Sequence, residues 1–184
     1  SVEEIVRKVT KELRDAHRRT EKILRDVDKE LKEVLDRVRK IHRDVKERLE
    51  KVLDDVRKRG VPKEVLDEIR KLVEDVKREN DKLLKEIKKI VEDLHRKNRD
   101  LKRKSEELVR RVEEELRELR RRGVDEEVVT RAVERVKRAV KKSEDDVRRI
   151  VDENRKLVKE IEDRSRESVK KTEELIERIR KRVE

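Results

Sequence analysis

The 184-residue sequence contains no cysteine, methionine, phenylalanine, tryptophan or tyrosine, and it has only two glycines and one proline. Without cysteine there is no disulfide, no thiol chemistry and no thiolate metal site, so packing and hydrogen bonds must hold the fold. No apolar run approaches the roughly 18 residues of a membrane span, and residues 1 to 20 lack the apolar centre of a signal peptide. We expect a soluble chain without a targeting segment, and the sequence does not identify a compartment.

Charged residues make up 59% of the chain and hydrophobic residues 31%, a composition that by itself is typical of disorder. The net charge is +11, but the signs are interleaved: residues 1–60 contain 20 basic and 15 acidic residues, 61–123 contain 21 and 17, and 124–184 contain 19 and 17. A groove that follows a phosphate backbone would concentrate positive charge instead. The pattern favours a solvated surface, with a basic helical module that binds nucleic acid or an anionic membrane as the alternative.

The apolar residues recur with the period of an α-helix, which argues against disorder. They run from Val2 to Val56 at an average of 3.6 residues, and the same pattern spans Val65 to Leu119 and Val129 to Val183. The underlying repeat has 18 residues, and segments 24–41 and 42–59 are identical at ten of 18 positions. Because 18 residues make five turns of an ideal helix, the helices should be nearly straight rather than supercoiled.

Two similar segments, RKRGVPKEV around Gly60 and RRRGVDEEV around Gly123, interrupt this periodicity. Each glycine follows a basic last turn and can take the left-handed conformation that ends a helix, while Pro62 and Asp125 suit the start of the next. We predict helices over about 2–59, 62–122 and 125–183, with loops at 60–61 and 123–124. Short loops make neighbouring helices antiparallel and the apolar stripes are wide. The predicted fold class is therefore all-α, a single-chain antiparallel three-helix bundle of long helices forming one domain, 1–184.

Polar residues interrupt the apolar register at three heights when the helices are aligned at the loops. Because a buried polar group without a partner costs about 1 to 3 kcal/mol, this grouping predicts hydrogen bonds within each layer. His42 is an example, since it replaces Leu24 of the preceding repeat and is expected to complete its layer. The first layer contains His17, Thr20, Ser105 and Ser143, the second His95, Asn98 and Asn154, and the third His42, Asn80, Ser165, Ser168 and Thr172.

Simpler interpretations of these residues stay open. A core histidine is often only structural, although a proton-sensing role is the alternative. His95 is expected at the solvent boundary, because its repeat equivalents are Lys77 and Glu113. Ser165 or Ser168 could instead bond to the carbonyl four residues earlier in the same helix.

No catalytic, cofactor-binding or metal-binding residues are predicted. The three histidines are too far apart in sequence and predicted height to share a metal, and neither an HExxH motif nor a glycine-rich phosphate loop is present. Serine and histidine share two layers, but a buried nucleophile without an oxyanion hole or a pocket indicates packing. We therefore predict that the chain is not an enzyme and needs no cofactor.

The 18-residue repeats, the matched Gly–Val loops, the surface written almost wholly in Lys, Arg, Glu and Asp, and the polar core layers together resemble de novo designed, parametrically generated helical bundles with buried hydrogen-bond networks. In such bundles the networks enforce one register and one helix order. The resemblance implies a structural scaffold, with a pH response as an added hypothesis, that is monomeric, requires no partner and has no natural biochemical activity. An exposed apolar patch that docks a fourth helix is a further alternative.

Overall fold

The computed structural model describes residues 1–184 and contains three α-helices and no strand: α1 (Val2–Lys58), α2 (Lys63–Arg122) and α3 (Glu126–Val183). Hydrogen bonds join each helix to the other two, and the predicted all-α three-helix fold is confirmed. The bounds differ from those predicted by one residue at the end of α1 and at the starts of α2 and α3. None of the three helices has a stretch long and apolar enough to cross a bilayer.

The helix starts are capped by residues that precede them. The Glu4 N–H donates to Ser1 Oγ at 3.3 Å, and the Val128 N–H donates to Asp125 Oδ1 at 3.1 Å. Pro62 has no side-chain oxygen to act as a cap, but its carbonyl accepts the Leu66 N–H at 3.0 Å, as the carbonyls of Ser1 and Asp125 accept the N–H four residues later. The Ser1 and Asp125 side chains each satisfy a donor that has no partner within its own helix.

Both loops turn at a glycine with a left-handed backbone. The φ angles are +70° at Gly60 and +67° at Gly123, which a residue with a side chain rarely adopts. The valines that follow, Val61 and Val124, pack on the neighbouring core clusters. The first two helices, α1 and α2, therefore end by a glycine turn followed by an apolar contact.

The chain forms two compact units, and each contains a segment of all three helices. The first unit comprises Ser1–Glu30 and Leu94–Arg155, and the second comprises Leu31–Asp93 and Lys156–Glu184. The prediction of one domain over 1–184 stays a prediction.

The core of each unit is built from the apolar register residues. Burying a valine or leucine side chain stabilises the folded chain by about 1.5 to 3 kcal/mol, so these clusters supply the main driving force. In the first unit the clusters comprise Val6, Val9, Leu13, Val112, Leu116, Val129, Val133 and Val136, and separately Val27, Val147 and Val151. In the second unit the cluster comprises Val45, Leu49, Val52, Leu53, Val56, Ile69, Val73, Leu175, Ile176 and Ile179.

Ion pairs between helices show the register inside each unit. In the first unit Lys97 binds Glu153 at 2.7 Å and Arg135 binds Glu115 at 3.6 Å, and both pairs of residue numbers sum to 250. A constant sum means that α2 and α3 run antiparallel. These pairs are exposed and contribute about 0 to 1 kcal/mol each, so they report the register more than they hold it.

In the second unit, ion pairs show the relative direction of α1 and α3. Arg37 binds Glu162 at 2.8 Å and Arg48 binds Glu173 at 3.2 Å, and both pairs are separated by 125 residues. A constant difference means that these two helices run parallel, as they must when each is antiparallel to α2.

The glycine turns can be tested with Gly123→Ala. We expect a loss of about 1 kcal/mol in the free energy of unfolding, because alanine pays the left-handed backbone cost. A Cβ atom at this position would meet nothing within 4 Å, so no steric clash contributes. Guanidinium unfolding followed by circular dichroism measures the change. Gly123→Asn should lose less unfolding free energy than Gly123→Ala. An alanine variant as stable as the parent would contradict this account of the turn.

Candidate functional site

Eight polar side chains are buried in the core, and all eight belong to the layers described above. They are Thr20, His42, Asn80, Asn98, Ser105, Asn154, Ser165 and Thr172. The other four layer residues, His17, His95, Ser143 and Ser168, are half-buried. The first and second layers lie in the first unit, and the third layer lies in the second unit.

The second layer is a fully paired amide network. Asn98 and Asn154 exchange reciprocal hydrogen bonds, with Nδ2 to Oδ1 distances of 3.2 and 3.1 Å. The other N–H of Asn98 donates to Asp28 Oδ1 at 2.8 Å, and the other N–H of Asn154 donates to the Ile150 carbonyl at 2.7 Å. All four side-chain N–H groups therefore have acceptors, although both residues are only 1% exposed.

His95 joins this layer through Asp28 rather than through the asparagines. Its Nδ1 lies 2.9 Å from Asp28 Oδ1, the same oxygen that accepts from Asn98. An ionised carboxylate only accepts, so Nδ1 is the nitrogen that carries the proton. Both side chains remain about one third exposed, at 31% for His95 and 36% for Asp28. The Asp28 carboxylate therefore stays in contact with water.

Sequence reasoning missed Asp28 and Glu21, the two carboxylates that bind the layer histidines. The signal was their position on α1: Asp28 directly follows the core residue Val27, and Glu21 directly follows Thr20. His17 follows Ala16 in the same way. A polar residue one position after a core residue lies at the flank of the apolar stripe, where it can reach a neighbouring helix.

In the first layer, His17 has a partner on each ring nitrogen. Its Nε2 lies 2.6 Å from Glu21 Oε1, and its Nδ1 lies 2.8 Å from Ser105 Oγ. Because the carboxylate accepts from Nε2–H, the Nδ1 of the neutral ring accepts from the serine hydroxyl. Thr20 and Ser143 border the same small cavity but form no hydrogen bond with His17 or Ser105.

The third layer is only partly paired. The Ser168 hydroxyl donates to Asn80 Oδ1, and the Thr172 hydroxyl donates to the Ser168 carbonyl of its own helix at 3.0 Å. His42 Nε2 and Ser165 Oγ are buried without any partner. The prediction is that His42 completes this layer. In the structure, its Nε2 has no hydrogen-bond partner.

The surroundings of His42 shift its ionisation. Burial lowers its pKa from the ordinary value, and the Asn80 backbone and the Asp81 carboxylate oppose this effect without outweighing it. His42 differs from His17 and His95 in having no carboxylate within hydrogen-bond distance. Its protonation would place a charge in the core of the second unit.

Nowhere do three or more histidine, aspartate or glutamate side chains converge closely enough to hold a metal ion. Comparison with protein-family models, curated proteins and solved structures found no match to the chain.

The amide network can be tested with Asn98→Leu and Asn154→Leu. Each single variant leaves the other amide buried without its partner, so we expect each to lose about 1 to 3 kcal/mol of unfolding free energy. Leucine has a similar volume, which keeps a cavity from dominating the result. The double variant should lose less than the sum of the two, since no unpaired amide remains. Strictly additive losses in guanidinium unfolding would contradict the reciprocal pairing.

His42→Leu tests the unpaired imidazole. Burial holds the pKa of His42 in the folded chain below the value of about 6.5 that it has in the unfolded chain. The free energy of unfolding is therefore highest above about pH 6.5, and it decreases as the pH falls below that value. Between pH 7.5 and 5.5, the parent should lose on the order of 1 kcal/mol more than His42→Leu. At pH 7.5 the variant should be more stable than the parent by about 1 to 3 kcal/mol.

The control for this test is His95→Asn, which removes a histidine paired with Asp28 and keeps His42. It should retain the parent's loss of stability at pH 5.5. If His42→Leu shows the same loss as the parent, the acid response does not come from His42.

Proposed function

We propose that the chain is a de novo designed structural scaffold, a monomeric three-helix bundle whose buried polar layers specify one register and one helix order. The observation that carries this proposal is the reciprocal pair of Asn98 and Asn154, in which every side-chain N–H has an acceptor at 1% exposure. A partner and a cofactor have no place in this function.

The repeat explains why such a pair is needed. Segments 24–41 and 42–59 share Val and Leu at equivalent positions, so a core of these residues alone fits about equally well in more than one alignment. A displaced or reordered helix would separate Asn98 from Asn154 and bury unpaired amides, at about 1 to 3 kcal/mol for each group. The polar pair therefore raises the free energy of the alternatives.

Several features support a designed origin. The apolar period of 3.6 residues continues through all three helices, the two loops follow one plan, and the exposed faces use almost only four charged residue types. The absence of any match among known proteins agrees with such an origin.

One cluster invites an enzymatic interpretation, and its geometry argues against it. Ser105, His17 and Glu21 are hydrogen-bonded in the order of a serine–histidine–acid triad. Ser105 lies inside α2, where backbone N–H groups are used by the helix and cannot form an oxyanion hole. The cavity beside it measures about 10 Å³, which is at the limit for one water molecule. We propose that this cluster is structural.

The alternative of a module that binds nucleic acid or an anionic membrane has less support. Such a module needs a continuous cationic face, whereas arginines on all three helices are paired with carboxylates of a neighbouring helix, as Arg37, Arg120 and Arg164 are. A pH response remains an added part of the proposal, with His42 as the responding group.

The role of the amide pair can be tested by the double variant Asn98→Leu with Asn154→Leu. We expect a chain that stays folded but populates more than one helix arrangement, because no buried amide opposes the alternatives. Spin labels on cysteines replacing Arg103 and Arg131 would report this as an added peak in the pulsed-dipolar distance distribution. These positions are 66% and 71% exposed, and the chain has no other cysteine.

A matched control replaces two fully buried isoleucines, Ile87→Leu and Ile161→Leu, in the labelled background. This change repacks the core without touching the amides, so the distance distribution should keep the single peak expected of the parent. A single unchanged peak in the double asparagine variant would overturn the proposed role of the pair.

A further inference from the structure

The second unit has an apolar groove between α1 and α3, and Ser165 is the one layer residue in its lining. Its apolar lining consists of Val34, Val38, Ile41 and Val169, and its volume is about 500 Å³. Pockets that bind small molecules in proteins typically measure about 300 to 1,000 Å³ and are mostly apolar. The groove is therefore large enough for a compact organic molecule.

A buried hydroxyl without a partner belongs to the same lining. Ser165 is 2% exposed, and its Oγ is one of only two buried side-chain polar atoms in the chain that lack a hydrogen bond. Thr172, on the same helix, instead bonds to a carbonyl four residues earlier. A molecule in the groove that carries a hydrogen-bond acceptor would give Ser165 the partner it lacks.

The charges around the groove are unbalanced toward positive. Its two carboxylates already have guanidinium partners, since Glu162 lies 2.8 Å from Arg37 and Glu173 lies 3.2 Å from Arg48. Lys170 lines the groove as well, is exposed, and forms no ion pair. An anionic group at this position would gain a cation without displacing an existing pair.

The first unit offers an internal comparison. Its groove between α1 and α3 is likewise lined by aliphatic residues and lysine, including Val9, Leu13 and Lys141, but measures about 290 Å³. No unpaired buried polar atom lies in the first unit. Volume and an unpaired hydroxyl coincide only in the groove of the second unit.

We propose that the groove of the second unit is a binding site for a small organic anion with an apolar body, such as an aromatic sulfonate. The apolar body packs on Val34, Ile41 and Val169, and the anionic group lies near Lys170. The Ser165 hydroxyl donates a hydrogen bond to an acceptor atom of the molecule. Inorganic anions lack the apolar body and should not compete. This site is independent of the role proposed for the amide pair.

The probe for the test is anilinonaphthalene sulfonate, whose fluorescence rises in an apolar environment. We expect saturable binding of one equivalent to the folded parent, with a dissociation constant on the order of 10 to 100 µM for a molecule of this size. Ile41→Glu should weaken binding at least tenfold, because it replaces an apolar contact by a like charge.

The chain contains a close control for this variant. Ile23 lies one 18-residue repeat before Ile41, is exposed to a similar extent, at 40% against 37%, and does not line the groove. Ile23→Glu should leave the dissociation constant unchanged. Circular dichroism of each variant ensures that the dye reports a folded chain.

Two further variants test the polar contacts. Lys170→Gln should weaken binding of the sulfonate several-fold and leave binding of uncharged phenylnaphthylamine unchanged, whereas Lys141→Gln should affect neither. Ser165→Ala should weaken sulfonate binding without loss of folding stability, because the hydroxyl it removes has no partner in the free chain.

Three outcomes of the dye measurements would overturn the proposal, and a competition experiment adds a fourth. They are absence of saturable dye binding up to millimolar concentration, several equivalents bound per chain, or equal weakening by Ile41→Glu and Ile23→Glu. Inhibition by sodium sulfate at matched ionic strength would show that the charge alone is recognised and would also overturn it. The distance distribution of the spin-labelled parent is unaffected by any of these results, so the two proposals fail separately.

Discussion

The reciprocal hydrogen bonds between Asn98 and Asn154 are the contact on which, in the function we propose, the arrangement of α2 and α3 in the first unit depends most directly. Valine and leucine clusters supply most of the driving force, but an apolar contact is non-directional and tolerates a shift along the helix. An amide pair at 1% exposure does not tolerate such a shift, because the shift leaves donors and acceptors in the core without partners. The proposed function thus assigns stability and specificity to different residues of the same helix face.

The three layers also differ in how they treat histidine. His17 and His95 each contact a carboxylate at the flank of α1, Glu21 and Asp28, and both pairs retain access to water. His42 is buried with Nε2 unpaired, and burial lowers its pKa. The second unit therefore combines the less complete layer with the larger groove, and Ser165 belongs to both.

Much of this structure follows from particular residues in the sequence. The 3.6-residue apolar period and the glycines at 60 and 123 predicted three helices to within one residue at their ends, because periodicity and left-handed glycine are local properties. The grouping of the polar residues by height was predicted from the short loops, which tie the alignment of adjacent helices, and it stays a prediction. Asp28 and Glu21 were not singled out, since many solvated charged residues also stand directly after a core residue.

The sequence by itself determined where the helices lie, which face of each is apolar, and which positions of that face carry a polar residue, because all of these depend on spacing along one chain. Only the tertiary structure decided which polar atoms meet. Hydrogen bonds require donor and acceptor within about 3.5 Å and in the correct direction, and side-chain rotamers on two helices set that geometry together. For this reason the amides of Asn98 and Asn154 are paired in the second layer, whereas His42 Nε2 and Ser165 Oγ have no partner in the third.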